Sequence, residues 1–149
     1  MDPENPVVLL CVEGMRLEGM GRYAEAQSAF ARAWETSADD FEACIAAHYL
    51  ARHQATAEET LHWNQEALRR AEAVGDERVQ GFFPSLYLNL GFSYERLGDL
   101  QEAHRCYQLA AKCAGGLPEE RYGEVVLEGI ENGLRRTQGD TGTRDLSST

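Results

Sequence analysis

Glycine and alanine recur at matched positions in two distant segments, and this spacing constrains the fold more than any other feature of the chain. Residues 14–36 align without a gap on the segment that begins at Gly91. The matched pairs are Gly14 with Gly91, Leu17 with Tyr94, Gly21 with Gly98, Tyr23 with Leu100, Ala26 with Ala103, Phe30 with Tyr107, and Ala33 with Ala110. Small residues at fixed positions let helices approach closely, and large residues opposite them fill the remaining space. The pattern therefore predicts a pair of closely packed helices that occurs more than once.

A third, weaker copy lies between these two segments. Ala67 follows Ala33 by 34 residues, and Thr60 stands where the first copy has Ala26. Ala110 then follows Ala67 by 43 residues, so nine residues have been added before the last copy. We interpret each copy as two helices joined by a turn.

A helix–turn–helix period of 34 residues with these small and aromatic positions resembles the tetratricopeptide repeat. The last copy matches best, at Tyr87, Leu90, Gly91, Tyr94, Gly98, Asp99, Ala103, Tyr107 and Ala110. The longer spacing before it resembles the repeats of the kinesin light chain. The resemblance covers roughly residues 7–117. It implies an all-α fold, a right-handed superhelical α-solenoid of helix–turn–helix repeats.

The helical spacing and the turn residues divide the chain into elements. We predict helices at about 6–19, 22–36, 40–53, 57–74, 77–97 and 100–113, followed by a capping helix at about 118–137. The predicted organisation is a single domain over 1–137, with repeats at about 7–40, 41–83 and 84–117, and a flexible tail at 138–149. A terminal helix of this kind covers the open face of the last repeat.

Pro84 leaves two alternatives for the fifth helix, which starts either near Asp76 or near Pro84 itself. Apolar residues continue at helical spacing through the proline, and they favour the longer helix with a kink. The apolar residues expected on the capping helix are Tyr122, Val125, Val126, Ile130 and Leu134, and Val125 and Ile130 in particular are expected to cover the third copy.

Composition and charge exclude several classes of partner. The chain has 14 basic and 25 acidic residues, a net charge of −11, which repels the phosphate backbone of nucleic acid. The apolar run at residues 7–12 is too short for a membrane span, and no secretory signal is visible, so we expect a cytoplasmic protein without a membrane partner. The four cysteines form no CxxC motif and are expected to be buried thiols.

Residues able to carry chemistry do not form a recognisable active site. Cys44, His48 and His53 lie close together in the chain and raise the possibility of a metal site, but a hydrogen-bonded core histidine explains His48 more simply. No nucleophile is placed beside a base, and no phosphate-binding glycine motif occurs. The sequence therefore predicts no enzyme, no metal and no cofactor.

The resemblance implies a concave groove lined by the first helix of each repeat. Carried over to this chain, its partner-binding residues are Met15, Tyr49, Arg52, His53, Asn89, Phe92, Glu95 and Arg96. Aromatic residues and arginine are common among binding hot spots, and Arg52 and Arg96 could receive an acidic or carboxylate-bearing segment. The alternative is that Tyr49 and Phe92 only fill the narrow interior of a short superhelix.

The carboxylate clamp with which some members of the family hold chaperone tails is not reproduced. Its positions are occupied here by Cys11, Met15, Ala46 and Ser85. The predicted function is a scaffold or adaptor that binds a protein or peptide of unknown identity. The alternatives are a structural module that forms a homodimer or larger homo-oligomer, and a small metal-binding or enzymatic helical protein. The partner, the pathway and the oligomeric state stay open.

Overall fold

The structure is a computed structural model that describes residues 2–117 and 120–147, and every regular element within these ranges is helical. The helices are α1 (Pro6–Gly19), α2 (Tyr23–Thr36), α3 (Asp40–Leu50), α4 (Ala57–Val74), α5 (Glu77–Gln80), α6 (Phe83–Arg96), α7 (Leu100–Cys113) and α8 (Arg121–Ser147). A short 3-10 turn, Ala114–Gly116, follows α7. The predicted all-α fold class of helical repeats is confirmed. None of the described helices is long and apolar enough to cross a membrane.

The helices form two compact units, and the boundary between them in the chain lies between Val79 and Gln80. In unit 1, α1 pairs with α2 and α3 pairs with α4, while α3 also contacts α1 and α2. In unit 2, α6 pairs with α7, and α8 packs against both. The division of residues 1–137 into repeats and a cap stays a prediction, and Met1, Pro118 and Glu119 lie outside the described residues.

The recurring glycines are close packing contacts, as the sequence predicts. A Cβ atom on Gly14 would lie 2.2 Å from Cε1 of Phe30, and one on Gly91 would lie 2.3 Å from Cε1 of Tyr107. Both distances are far below van der Waals contact, so any side chain at these positions would push the helices apart. The alanines that align with one another, Ala26, Ala33, Ala103 and Ala110, are completely buried.

Local signals end and begin the helices. Gly21 and Gly98 have φ values of 75° and 83°, the left-handed conformation that glycine adopts without strain after a helix. Thr56 accepts a hydrogen bond from the backbone N–H of Glu59 at 3.1 Å and so caps α4. Asp99 caps α7 in the same way.

The predicted long fifth helix is wrong. The short helix α5 ends at Gln80, and α6 begins only at Phe83, with Pro84 in its first turn. Proline lacks a backbone N–H and fits the first turn of a helix, where that donor has no helical partner. The second of the two alternatives, a start near Pro84, therefore describes this segment.

Two other boundaries differ from the prediction. Helix α3 ends at Leu50, short of residue 53, and His53 adopts a left-handed φ of 54°. Helix α8 continues past residue 137 to Ser147. The flexibility expected for residues 138–149 stays a prediction, and Ser148 and Thr149 lie outside the described residues.

The apolar face of α8 is narrower than expected. Val126 and Ile130 are buried, whereas Val125 is 49% exposed. Together with Leu88, Ala103, Tyr107 and Ala110, Val126 and Ile130 form the apolar core of unit 2. Leu134 packs against this core, whereas Tyr122 is 52% exposed. The expectation that Val125 contributes is wrong, because Val126, Ile130 and Leu134 follow one another at four-residue spacing on the buried face and Val125 does not share that spacing.

Candidate functional site

In unit 1, the predicted binding residues Arg52 and His53 both contact Glu18, near the end of α1. Nη1 of Arg52 donates to Oε1 of Glu18 at 2.7 Å, and Nε2 of His53 donates to Oε2 at 2.5 Å. The Glu18 side chain is only 14% exposed, while that of Arg52 is 45% exposed. The charge of Arg52 is therefore paired within the chain and is not available as an isolated cation.

Aromatic rings support this ion pair. The guanidinium of Arg52 lies 5.1 Å from the ring centroid of Tyr49, and the Tyr49 ring stacks on Phe30 with centroids 5.4 Å apart. The His53 ring lies 4.7 Å from Tyr23. Tyr49 thus fills the space above Phe30, as the alternative of a filled interior requires, and it also supports Arg52.

Met15 is half-buried on α1, one turn before Glu18. Helical spacing places it on the same side of α1 as Glu18. It is the one predicted residue of unit 1 that belongs neither to the ion pair nor to the stacked rings.

The histidine and cysteine considered for a metal site are packing residues. The pKa of His48 is lowered to about 4, because its imidazole is removed from water and the positive charge of Arg52 lies nearby. Burial raises the pKa of the Cys44 thiol to about 12. Within residues 2–117 and 120–147, no three or more histidine, cysteine or acidic side chains are grouped to hold a metal ion.

In unit 2, Glu95 on α6 is the centre of a second ion pair. It accepts a hydrogen bond from the hydroxyl of Tyr107 at 2.5 Å and one from Nη2 of Arg136 at 2.9 Å. The hydrogen bond from Arg136 is the main reason that the pKa of Glu95 lies below its ordinary value, and the bond from Tyr107 acts in the same direction. Glu95 is thus held as a paired carboxylate.

Phe92 and Arg96 are the exposed members of the predicted set on α6. The Phe92 ring is 38% exposed; it lies edge-on to Tyr107 at 5.9 Å, and the guanidinium of Arg136 is also 5.9 Å from its centroid. Arg96 is exposed and forms no ion pair with any described residue. Asn89 is half-buried one turn earlier, and its backbone carbonyl accepts a hydrogen bond from the hydroxyl of Ser93.

The predicted set leaves out Glu18 and Arg136, which complete the two ion pairs. The repeat places Glu18 at a groove position of the first copy, since the shift that relates Gly14 to Gly91 also relates Glu18 to Glu95. Arg136 carries no such signal, because it lies in α8, outside the segment that the repeat pattern covers.

Comparison with known proteins supports the repeat assignment. Residues 84–116 match the tetratricopeptide repeat family. This segment contains nearly all of α6 and the whole of α7, the pair that carries Gly91 and Tyr107. No curated protein matches the chain. The resemblance stated from the sequence is therefore confirmed at the third copy.

Proposed function

We propose that the protein is a non-catalytic binding scaffold that presents the exposed face of α6 to a protein or peptide ligand. Tetratricopeptide repeats support a role in protein interaction in general. The use of this particular face, and of the residues below, is our proposal. It requires no cofactor and no bond chemistry.

The observation that carries the proposal is that an exposed aromatic ring and an arginine without an ion-pair partner among the described residues lie one turn apart on α6. Phe92 is 38% exposed, and Arg96 follows it one turn later without an ion-pair partner among the described residues. Aromatic and arginine side chains are the most common binding hot spots, because both supply a large contact area and directional contacts. In unit 1 the other predicted arginine, Arg52, is already paired with Glu18. We therefore assign the larger contribution to Arg96.

The ligand that fits this face is a peptide segment with an acidic side chain or a terminal carboxylate beside an apolar residue. Phe92 offers the apolar contact, and Arg96 offers the charge. Arg136 adds a second cation near the same ring, although Glu95 shares it. In a protein of net charge −11, such a cationic position is where an acidic segment meets the least repulsion.

The other predicted residues take supporting roles in this proposal. Glu95 holds Arg136, and Asn89 borders Phe92 on α6. In unit 1, Met15, Tyr49 and His53 form a second contact surface around Arg52. We place the protein in the cytoplasm, a reducing compartment in which free thiols such as its four cysteines persist.

The test is selection from a library of random peptides against the purified full chain. We expect enriched peptides to combine acidic and apolar residues. The double variant Phe92→Ala with Arg96→Ala should weaken their binding by roughly thirtyfold or more, since a single hot spot contributes about 2 kcal/mol or more. Far-UV circular dichroism and the melting temperature of the variant show whether it is folded, and Arg96→Ala alone keeps the Phe92 contacts intact.

The matched control is Leu127→Ala with Arg105→Ala, which removes an exposed apolar side chain and an exposed arginine elsewhere in unit 2. We expect it to bind the selected peptides as the wild type does. Peptides that bind the Phe92 and Arg96 variant at wild-type affinity would move the site to another surface. Equal losses of affinity in both double variants would show that peptide binding depends only on the net charge of the protein.

A homodimer is the second candidate, and exposed apolar residues on α1 favour it. Leu9 is 53% exposed and Val12 is 51% exposed, one turn apart. Light scattering over a range of concentrations gives the molar mass directly. A dimer that becomes a monomer on Leu9→Asn with Val12→Asn would support this function, and a monomer at all concentrations would exclude it.

A further inference from the structure

Unit 1 contains a cavity where α2 ends and α3 begins, on residues that the proposed binding face does not use. Its volume is about 600 Å³, and its walls include Trp34, Glu35, Asp39, Asp40 and Arg70. Cavities of several hundred Å³ are large enough to hold a side chain or small ligand. Three carboxylates and one guanidinium line it, so negative charge is in excess.

The chain already places one guanidinium in this cavity. Nη1 of Arg70 donates to Oδ1 of Asp40 at 2.9 Å, and its Nε donates to Oε1 of Glu66 at 3.0 Å. The Arg70 guanidinium also lies 5.1 Å from the ring centroid of Trp34. A planar cation that meets an indole face and a carboxylate at once is a favourable arrangement. The wall is therefore suited to guanidinium groups, and Arg70 itself is neutralised by two acids.

Two acids at the cavity have no such partner. Glu35 and Asp39 are both exposed, and neither forms an ion pair with a described residue. Asp39 uses one carboxylate oxygen to accept a hydrogen bond from the backbone N–H of Glu42 at 2.9 Å, which leaves its other oxygen available. Helix α2 has no basic residue in its last turn, and Arg78, whose charge interacts with Asp39, forms no ion pair with it.

We propose that this cavity binds an arginine side chain of a partner protein. The incoming guanidinium is held by the carboxylates of Glu35 and Asp39, and it enters beside Trp34, whose ring already faces Arg70. Arginine fits better than lysine because its planar group can bond two carboxylates at once. This site differs from the α6 face in both place and charge preference, and it does not depend on the proposed function.

The two tryptophans of the chain allow a direct test. Trp34 forms part of the cavity wall, and Trp63 lies in edge contact with it at 5.0 Å, so the fluorescence of both reports on this region. The full chain is titrated with a capped tetra-arginine peptide, a capped tetra-lysine peptide and a capped tetra-citrulline peptide. We expect a saturable change with arginine, at least about threefold weaker binding of lysine, and no change with citrulline.

The decisive variant is Glu35→Gln with Asp39→Asn, which removes two charges and keeps the shape of both side chains. Asparagine still caps a helix, so α3 should begin normally. Binding of tetra-arginine should weaken by about fivefold or more, because each exposed ion pair contributes up to about 1 kcal/mol. The matched control, Glu58→Gln with Glu128→Gln, changes net charge equally at exposed acids outside the cavity wall. We expect it to bind within about twofold of the wild type.

Four results would overturn the proposal. They are the absence of a saturable fluorescence change, equal binding of lysine and arginine, wild-type binding by the cavity variant, and equal weakening in the control variant. None of these results involves Phe92 or Arg96, so the outcome is separate from that of the peptide selection.

Discussion

The two units contain equivalent ion pairs, Glu18 with Arg52 in unit 1 and Glu95 with Arg136 in unit 2. The two acids are related by the same repeat shift as Gly14 and Gly91. Glu18 on α1 is held by Arg52, which lies just after α3, and Glu95 on α6 is held by Arg136, which lies on α8. In each unit, one helix lies in the chain between the helix of the acid and the helix that positions the arginine. Within its unit, α8 is thus positioned against α6 and α7 as α3 is against α1 and α2. The comparison indicates that α8 packs like the first helix of a further repeat.

The two units differ in the aromatic ring behind each ion pair. Phe30 in unit 1 is apolar and stacks on Tyr49. Tyr107, its equivalent in unit 2, donates its hydroxyl to Glu95, and its ring is met by α8 at Gly133, where a Cβ atom would lie 2.6 Å away. Unit 2 therefore has a closer helix contact, and the second donor to its acid is the aromatic residue itself, whereas in unit 1 the second donor is His53.

A second difference concerns a polar side chain on the second helix of each repeat. His104 on α7 is hydrogen-bonded to the buried Thr137 of α8, with 2.8 Å between Nδ1 and Oγ1. Its equivalent by the repeat shift is Gln27 on α2, whose Oε1 is buried without a hydrogen-bond partner among the described residues. A buried polar atom without a partner costs about 1–3 kcal/mol. In unit 2, α8 thus provides a hydrogen-bond partner for the polar side chain of α7, whereas in unit 1 α3 provides none for Oε1 of Gln27 on α2.

The largest effect should come from removing α8 by ending the chain at residue 117. Val126 and Ile130 are buried in the core of unit 2, and the loss of two such side chains costs about 3–6 kcal/mol. We expect aggregation or a fall of several degrees in the melting temperature, measured by circular dichroism. A chain that ends at Gly139 keeps both residues and Thr137, and it should melt as the full chain does. A soluble chain of 117 residues with unchanged stability would show that α8 is not a structural cap.

Gly133→Ala should have the next largest effect, because its Cβ atom would overlap the Tyr107 ring. Overpacking of this kind costs about 1–3 kcal/mol, and Gly91→Ala should cost a similar amount for the same reason. The control is Gly19→Ala, in α1, where a Cβ atom has nothing within 4 Å; there we expect a gain of about 0.5–1 kcal/mol. Urea titration measures all three. If Gly133→Ala behaves like Gly19→Ala, then α8 does not approach α7 closely.

Acid should destabilise the protein first through unit 1. The pKa of His48 is lowered to about 4 in the fold from 6.5, so the unfolded chain takes up a proton at a higher pH than the folded chain does. This contribution to stability is complete above pH 6.5 and is lost as the pH falls toward 4; about 2 kcal/mol of it has been lost at pH 5. Glu95, with a pKa below 4.5 in the fold, loses its contribution only below that pH.

The check is the free energy of unfolding at pH 7.5 and pH 5 for the wild type and for His48→Leu. Between pH 7.5 and pH 5, the free energy of unfolding should fall less for His48→Leu than for the wild type. An identical pH dependence in both proteins would show that the His48 imidazole is not desolvated.

The smallest of the four effects is expected from Tyr107→Phe, which gives unit 2 the aromatic residue of unit 1. The change removes the hydrogen bond to Glu95 but leaves Arg136 in place, and a bond to a charged acceptor contributes about 1.5 kcal/mol. The pKa of Glu95 should rise toward its ordinary value, which NMR titration of the carboxyl carbon measures. Phe30→Tyr is the reverse change, and we expect no gain from it because Arg52 and His53 already bond both oxygens of Glu18.

Helix positions and close contacts in this protein follow from local sequence. Gly21 and Gly98 end their helices because only glycine adopts a left-handed conformation without strain, and Thr56 begins one because its side chain reaches a backbone N–H three residues later. The small residues opposite Phe30 and Tyr107 recur at a fixed spacing, so their role as packing contacts can be recognised without a structure. All these signals act within a few residues or through the repeat itself.

The ion pairs, the free cation and the start of α6 required the packed structure. Arg136 and Glu95 are 41 residues apart, and their contact depends on how α8 lies against α6. The rotation of α8, which buries Val126 and exposes Val125, follows from the same packing. From the sequence, Arg52 and Arg96 have equal standing. They differ in the structure because Glu18 lies 2.7 Å from the first, whereas the second forms no ion pair with any described acid. Distances between side chains on separate helices are set by tertiary contacts and not by local spacing.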